Sequence, residues 1–168
     1  IIGLDESDNR IAKLYINDGS GYFQEIIGVP FEAVSDGSIA FADIDGDGME
    51  DALICGLNSD NEGSTKLYLN DGTGNFNIAS DNPSANVYSS STSFSDIDGD
   101  GDNDLIITGL LEVDNRISKL YKNDGTGIFS EVLNTPFVPV DKADVAFADV
   151  DGDGDDDLFI SGLKIGQP

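Results

Sequence analysis

A nine-residue acidic segment occurs three times in this chain, and it constrains the fold more than any other feature. The copies occupy residues 43–51, 96–104 and 149–157, and each reads Asp-x-Asp-Gly-Asp-Gly-x-x-Asp. Carboxylates fall at positions 1, 3, 5 and 9, and the glycine at position 6 permits a sharp turn that would bring them together. A single Asp-Gly run is typical of a turn or of acidic disorder. Three copies with the same spacing indicate instead that the carboxylates within each copy bind a common ligand.

The spacing predicts three metal sites and favours calcium. Calcium takes about six to eight oxygen ligands from a flexible loop, whereas zinc and copper prefer softer ligands and magnesium a smaller site. We expect the four carboxylates and the main-chain carbonyl of position 7 to be the ligands. They are Asp43, Asp45, Asp47, Met49 and Asp51 in the first loop; Asp96, Asp98, Asp100, Asp102 and Asp104 in the second; and Asp149, Asp151, Asp153, Asp155 and Asp157 in the third.

The residues after each loop exclude a helix–loop–helix calcium site. That motif needs a bidentate Glu at position 12, where this chain has Ile54, Ile107 and Ile160. Each loop is followed by a short apolar run that ends in glycine, which is the pattern of a buried strand. Each loop therefore connects two strands.

The same interval of 53 residues recurs outside the loops. It separates glycines before the variable segments, tyrosines in Lys-Leu-Tyr, and phenylalanines after Asn-Asp-Gly-Ser/Thr-Gly. The members are Gly3, Gly56, Gly109 and Gly162; Tyr15, Tyr68 and Tyr121; and Phe23, Phe76 and Phe129. A fixed period of this length indicates stacked or radial supersecondary units.

Each unit is predicted to contain four antiparallel strands. The first leads into the acidic loop, the second is the apolar run, and the Asn-Asp-Gly turn joins the third to the fourth. Predicted first strands are residues 38–42, 91–95 and 143–148, and predicted third strands are residues 12–16, 65–69 and 118–122. The fold class is therefore all-β, with β-propeller blades of four strands.

We expect one repeat domain over residues 1–168. It divides into a partial blade at 1–37 that lacks its acidic loop, blades at 38–90 and 91–143, and a partial blade at 144–168. About three blades are fewer than the four to eight that close a propeller. We therefore expect a partial propeller, within a longer chain or within an assembly of copies of this chain.

The motifs resemble a known family. Phe-Ala-Asp-Ile-Asp-Gly-Asp-Gly-x-x-Asp, an apolar strand, and then Lys-Leu-Tyr-x-Asn-Asp-Gly-Thr-Gly-x-Phe are similar to the FG-GAP/VCBS repeat, which forms propeller blades in integrin α subunits and in secreted bacterial proteins. The resemblance implies calcium at the loops, through the ligands named above, and an extracellular or cell-surface location. It names no partner, because one fold can serve many functions.

Composition excludes several functions. The chain has 33 acidic and 8 basic residues and a net charge of −25, which would repel nucleic acid and anionic lipid. No apolar run approaches the roughly 18 residues of a membrane-spanning helix. Without histidine, and with no base pattern beside Cys55 or any serine, we expect no enzyme active site. Cys55 aligns with Thr108 and Ser161, as a small buried strand residue would.

The favoured hypothesis is a non-catalytic, calcium-stabilised extracellular module for adhesion, protein interaction or structural assembly. Its partner would be another protein or copies of the chain. Alternatives are a carbohydrate-binding propeller and the propeller appendage of a secreted polysaccharide-active enzyme. A glycan site would have to use Asn58, Asn61, Asn115 and Arg116, or the tyrosines Tyr15, Tyr68 and Tyr121. We expect the aromatic residues, including Phe41, Phe94 and Phe147, to fill the space between blades instead.

Overall fold

The computed structural model describes residues 1–164, and this part of the chain is all-β. Its strands follow one another with loops and turns between them. They are β1 (Ile2–Leu4), β2 (Arg10–Ala12), β3 (Leu14–Asn17), β4 (Phe23–Ile26), β5 (Ser35–Ala42), β6 (Asp51–Leu57), β7 (Gly63–Asn70), β8 (Phe76–Ile78), β9 (Tyr88–Ser95), β10 (Asp104–Glu112), β11 (Asn115–Asn123), β12 (Phe129–Glu131), β13 (Asp141–Ala148) and β14 (Asp157–Leu163). The final four residues of the predicted last unit, 165–168, lie outside the described residues.

Two complete four-stranded sheets confirm the predicted blades. Blade 1 consists of β5–β8 and blade 2 of β9–β12, and strands that are consecutive in sequence are antiparallel neighbours. Shorter sheets pair β1 with β2, β3 with β4 and β13 with β14. No sheet closes on itself within residues 1–164.

The acidic loops and the Asn-Asp-Gly turns lie at the same end of each blade. Ala42 pairs with Asp51 and Ser95 pairs with Asp104, so each loop closes the hairpin of the first two strands. The third and fourth strands close at Asn70–Phe76 in blade 1 in the same way. Since alternate connections in an antiparallel sheet share an end, the turn is brought beside the loop.

Several predicted strand boundaries are wrong, and β7 and β11 begin two and three residues before the predicted third strands. The first strands begin two or three residues earlier than predicted, because each contains a bulge at a residue with positive φ. These residues are Asp36, Ser89 and Lys142. The predicted strand 12–16 is instead two strands that meet at Lys13, because β2 pairs with β1 whereas β3 pairs with β4.

The core lies between the sheets. In β6, Leu53 and Cys55 contact the cluster shared with blade 2, while Ala52 and Ile54 contact the cluster shared with β1 and β3. A strand that is covered on both faces has no polar side, which explains the continuous apolar runs in the sequence. A third cluster joins blade 2 to β13 and β14.

Most of the aromatic residues pack between blades, as expected. Tyr68 and Phe76 contact the edge of Phe31, with ring centroids 5.0 and 4.9 Å from it, and Phe94 packs against the cluster between blades 1 and 2. Phe23, in the N-terminal hairpin, is an exception because it is 58% exposed, and Phe41 is a second exception. It is 49% exposed and lines an apolar cavity of about 320 Å³ between the N-terminal strands and blade 1.

Candidate metal centres

The aspartate at position 1 organises each acidic loop. Asp43 accepts hydrogen bonds from the main-chain N–H of Gly46 and of Gly48, both at 2.9 Å. Both glycines have positive φ, 75° and 85°, which other residues rarely adopt. Asp96 and Asp149 accept the equivalent bonds in loops 2 and 3. The loop is thus wound around the first carboxylate.

The aspartate at position 9 joins the loop to the neighbouring turn. Asp51 is 1% exposed and accepts from the N–H of Ile44 at 3.0 Å and from that of Asn70 at 2.8 Å. Asp104 accepts from Ile97 and Asn123 in the same way. The sequence predicted position 9 only as a ligand. Its second role is to bind the main-chain N–H of the Asn that begins the Asn-Asp-Gly turn, and the recurrence of that Asn in the sequence was the signal for it.

Three of the four predicted carboxylates converge in every loop. One oxygen from each of positions 1, 3 and 9 lies within 4.8 Å of the others. The groups are Asp43, Asp45 and Asp51; Asp96, Asp98 and Asp104; and Asp149, Asp151 and Asp157. The position 5 carboxylates instead accept from the N–H of position 7, from Met49 to Asp47 at 2.8 Å in loop 1. Position 5 and the position 7 carbonyls remain predicted ligands.

A cation fits the donor set of loop 1. Asp45 Oδ1 is buried and has no hydrogen-bond partner, a state that is destabilising for a carboxylate oxygen. Burial raises the pKa of Asp51 and of Asp104, and neighbouring carboxylates raise both further. Clustered all-oxygen ligands that repel one another are suited to a hard divalent ion.

Comparison with known proteins decides the family. A profile of the FG-GAP-like repeat matches residues 53–107 and again residues 96–160. The chain belongs to the FG-GAP-like repeat family. No curated protein matches it. FG-GAP-like repeats are typical of extracellular interaction and adhesion modules that bind calcium. The described residues contain no helix long and apolar enough to cross a membrane.

Consecutive FG-GAP-like repeats contact each other through their loops. Asn103 in loop 2 donates to the carbonyl oxygen of Asp43 at 3.0 Å, and Asn123 in the blade 2 turn donates to that of Ile44 at 2.8 Å. Ser95 donates to Asp156 in loop 3 at 2.6 Å. The three candidate centres therefore form a connected row, which the sequence did not reveal.

Five of the seven candidate glycan residues are buried or have structural contacts, whereas Asn115 is exposed. Tyr68 and Tyr121 are 0% and 1% exposed and present no face for stacking on a sugar. Asn58 accepts from the N–H of Asp60 and Glu62 within its own turn. Asn61 accepts from Arg10 at 2.8 Å. Arg116 is paired with the buried Asp141.

Cys55 and the aspartates of the Asn-Asp-Gly turns have structural roles. Cys55 is fully buried, and burial raises the pKa of its thiol to about 12, so it is no nucleophile at neutral pH. Asp18, Asp71 and Asp124 each accept from a hydroxyl two residues later, at 2.6 Å. The Thr73 hydroxyl is the main cause that lowers the pKa of Asp71 to about 2. These three carboxylates hold their turns.

Proposed function

We propose that this chain is a non-catalytic, calcium-stabilised module of an extracellular protein, and that its blades serve protein interaction or adhesion. The observation that carries the calcium assignment is the convergence of Asp43, Asp45 and Asp51 around an unpartnered carboxylate oxygen. Family membership supports the interaction role. The partner is a protein or a second copy of the chain, and the array is part of a larger whole.

The proposed role of calcium is to hold the loop end of each blade together. Asp51 already connects loop 1 to the start of the Asn-Asp-Gly turn, so an ion bound to it would restrain both hairpins of blade 1. Extracellular sites of this kind have Kd values of about 10⁻⁴–10⁻³ M. At millimolar calcium each site would then add about 0.5–1.5 kcal/mol of stability by mass action.

The non-catalytic part of the proposal rests on side-chain chemistry. The chain has no histidine, and its only thiol is buried and protonated. The converging carboxylates are those we assign to calcium. The acid–base pairs of hydrolases require carboxylates that can exchange protons with a substrate, which metal ligands cannot readily do.

Calorimetry tests the calcium assignment directly. Isothermal titration into chelator-treated protein should show up to three equivalents, and scanning calorimetry should show a lower Tm in EDTA that excess Ca²⁺ restores. Asp45→Asn should remove the first-loop equivalent, whereas the turn variant Asp18→Asn should leave the stoichiometry unchanged. A Tm that does not respond to exhaustive chelation would exclude the proposal.

A further inference from the structure

Loops 1 and 2 differ in one charged contact. In loop 2, the Lys122 ammonium donates to Asp98 Oδ2, at loop position 3. In loop 1, Leu69 stands at the position of Lys122, and Asp45 Oδ1, at the position of Asp98, is buried without a partner. The same predicted ligand is therefore paired with a cation in one loop and unpaired in the other.

The fold places Lys122 beside loop 2. Lys122 immediately precedes Asn123, whose N–H binds Asp104 at 2.8 Å, so the end of β11 is held against the loop. Its side chain is 47% exposed and that of Asp98 is 32% exposed. Lys122 and Asp98 thus form a partly exposed ion pair beside loop 2. An exposed lysine can turn into water at little cost when another cation arrives.

Lys122 also accounts for the difference in net charge between the surroundings of the two loops. Loop 2 has Asp102 where loop 1 has Met49, and Asn103 where loop 1 has Glu50. Each loop thus carries the same number of carboxylates. Only loop 2 has an ammonium group on a predicted ligand among the ion pairs of the described residues.

We propose that Lys122 is an internal counter-ion of loop 2 that competes with Ca²⁺ for Asp98. The inference rests on the proposed calcium function. Lys122 neutralises part of the loop when calcium is absent, and it must release or share Asp98 when calcium binds. Loop 2 therefore binds calcium less tightly than the same loop without the lysine. It also depends less on calcium for its order.

The experiment is a calcium titration of the whole chain followed by NMR. The amides of Gly48, Gly101 and Gly154, at position 6, give one reporter per loop. Lys122→Leu introduces the residue that blade 1 has at this position. It should lower the Kd of loop 2 for Ca²⁺ by about two- to fivefold, the range for a partly exposed ion pair. Leu69→Lys should weaken loop 1 by a similar factor. Lys122→Arg should leave the affinity of loop 2 within about twofold, because it keeps the charge.

Lys119→Met is the matched control. It removes the same charge from the same strand, but Lys119 is paired with Glu131 at 2.8 Å, away from the loops. The proposal is overturned if Lys122→Leu fails to tighten loop 2, or if Lys119→Met tightens it equally. A wild-type chain in which no loop reporter responds to Ca²⁺ would overturn the proposed function itself. A response at loops 1 and 3, with no effect of Lys122→Leu, would overturn only this inference.

Discussion

At the scale of single residues, the loop aspartates fall into two groups that differ in their hydrogen bonds. Those at position 1 and position 9 hold the loop by accepting main-chain N–H groups. Asp45 accepts none at Oδ1 and is left for a cation. The sequence identified all of these positions, because ligand spacing is local. It did not separate the carboxylates that shape the loop from the one that lacks a partner, because hydrogen-bond satisfaction depends on folded geometry.

Acidification should abolish the calcium effect. Burial raises the pKa of Asp51 and Asp104 above the ordinary value of 3.8. In the metal-free protein these groups therefore contribute stability that is fully present below the ordinary pKa and is lost as pH rises through the raised pKa. Calcium requires the ionised carboxylates. We expect the difference in Tm between protein with added calcium and protein depleted of calcium beforehand to shrink from pH 7 downward and to vanish below the raised pKa, by scanning calorimetry. A difference that persists at pH 3 would contradict this.

At the scale of elements, the period and the turn chemistry predicted the four-stranded blades. The bulges in β5, β9 and β13 were not predicted, because their positive-φ residues are Asp36, Ser89 and Lys142 rather than glycine. The contacts of Asn103 and Asn123 with the preceding blade were missed for a different reason. They join residues about 60–80 positions apart, and no pattern in one repeat reports them.

Asn123→Ala should destabilise the chain more than Asn70→Ala. Asn123 is 5% exposed, donates to the Ile44 carbonyl and accepts from Gly127. Asn70 donates to Glu50 within its own blade, at an exposed site. We expect a loss of about 2–3 kcal/mol for Asn123→Ala and about 1 kcal/mol for Asn70→Ala, from urea denaturation in EDTA. Equal losses would show that the contact between blades adds nothing.

The buried ion pair between blade 2 and β13 should be sensitive to loss of one partner. Arg116 is 12% exposed and Asp141 is 3% exposed. Arg116→Met would leave Asp141 buried without a cation, at a cost of about 3–5 kcal/mol. The double variant with Asp141→Leu should recover much of this. Arg10→Met is the control, because Arg10 is the residue 106 positions earlier and it donates to the neutral Asn61. The free energy of unfolding is measured by urea denaturation. An Arg116→Met variant that is no less stable than Arg10→Met would contradict the expectation.

At the scale of the whole molecule, charge opposes compactness. A net charge of −25 over 168 residues produces self-repulsion that favours expanded states. The stacking of blades through three hydrophobic clusters offsets it. Composition predicted the strongly acidic character of the chain. It could not predict how the loops form a connected row, because that depends on how the blades stack.

Salt should stabilise the metal-free protein more than the calcium-loaded protein. Raising NaCl from about 0.02 to 0.3 M shortens the screening length severalfold and weakens repulsion between carboxylates. Calcium bound as proposed would offset part of the charge of the loop carboxylates, so less repulsion would be left to screen. We expect a larger rise in Tm in EDTA than in calcium by scanning calorimetry. Equal rises in the two conditions would contradict it.

The contacts between blades have a consequence for how such a chain can evolve. Asn103 and Asn123 bind the main-chain carbonyls of Asp43 and Ile44 rather than their side chains. A neighbour that is recognised through its backbone can change its side chains freely, provided that the loop keeps its shape. The loop side chains of blade 1 can then vary without a matching change in these two asparagines, whereas the joint between blade 2 and loop 3 depends on the side chain of Asp156.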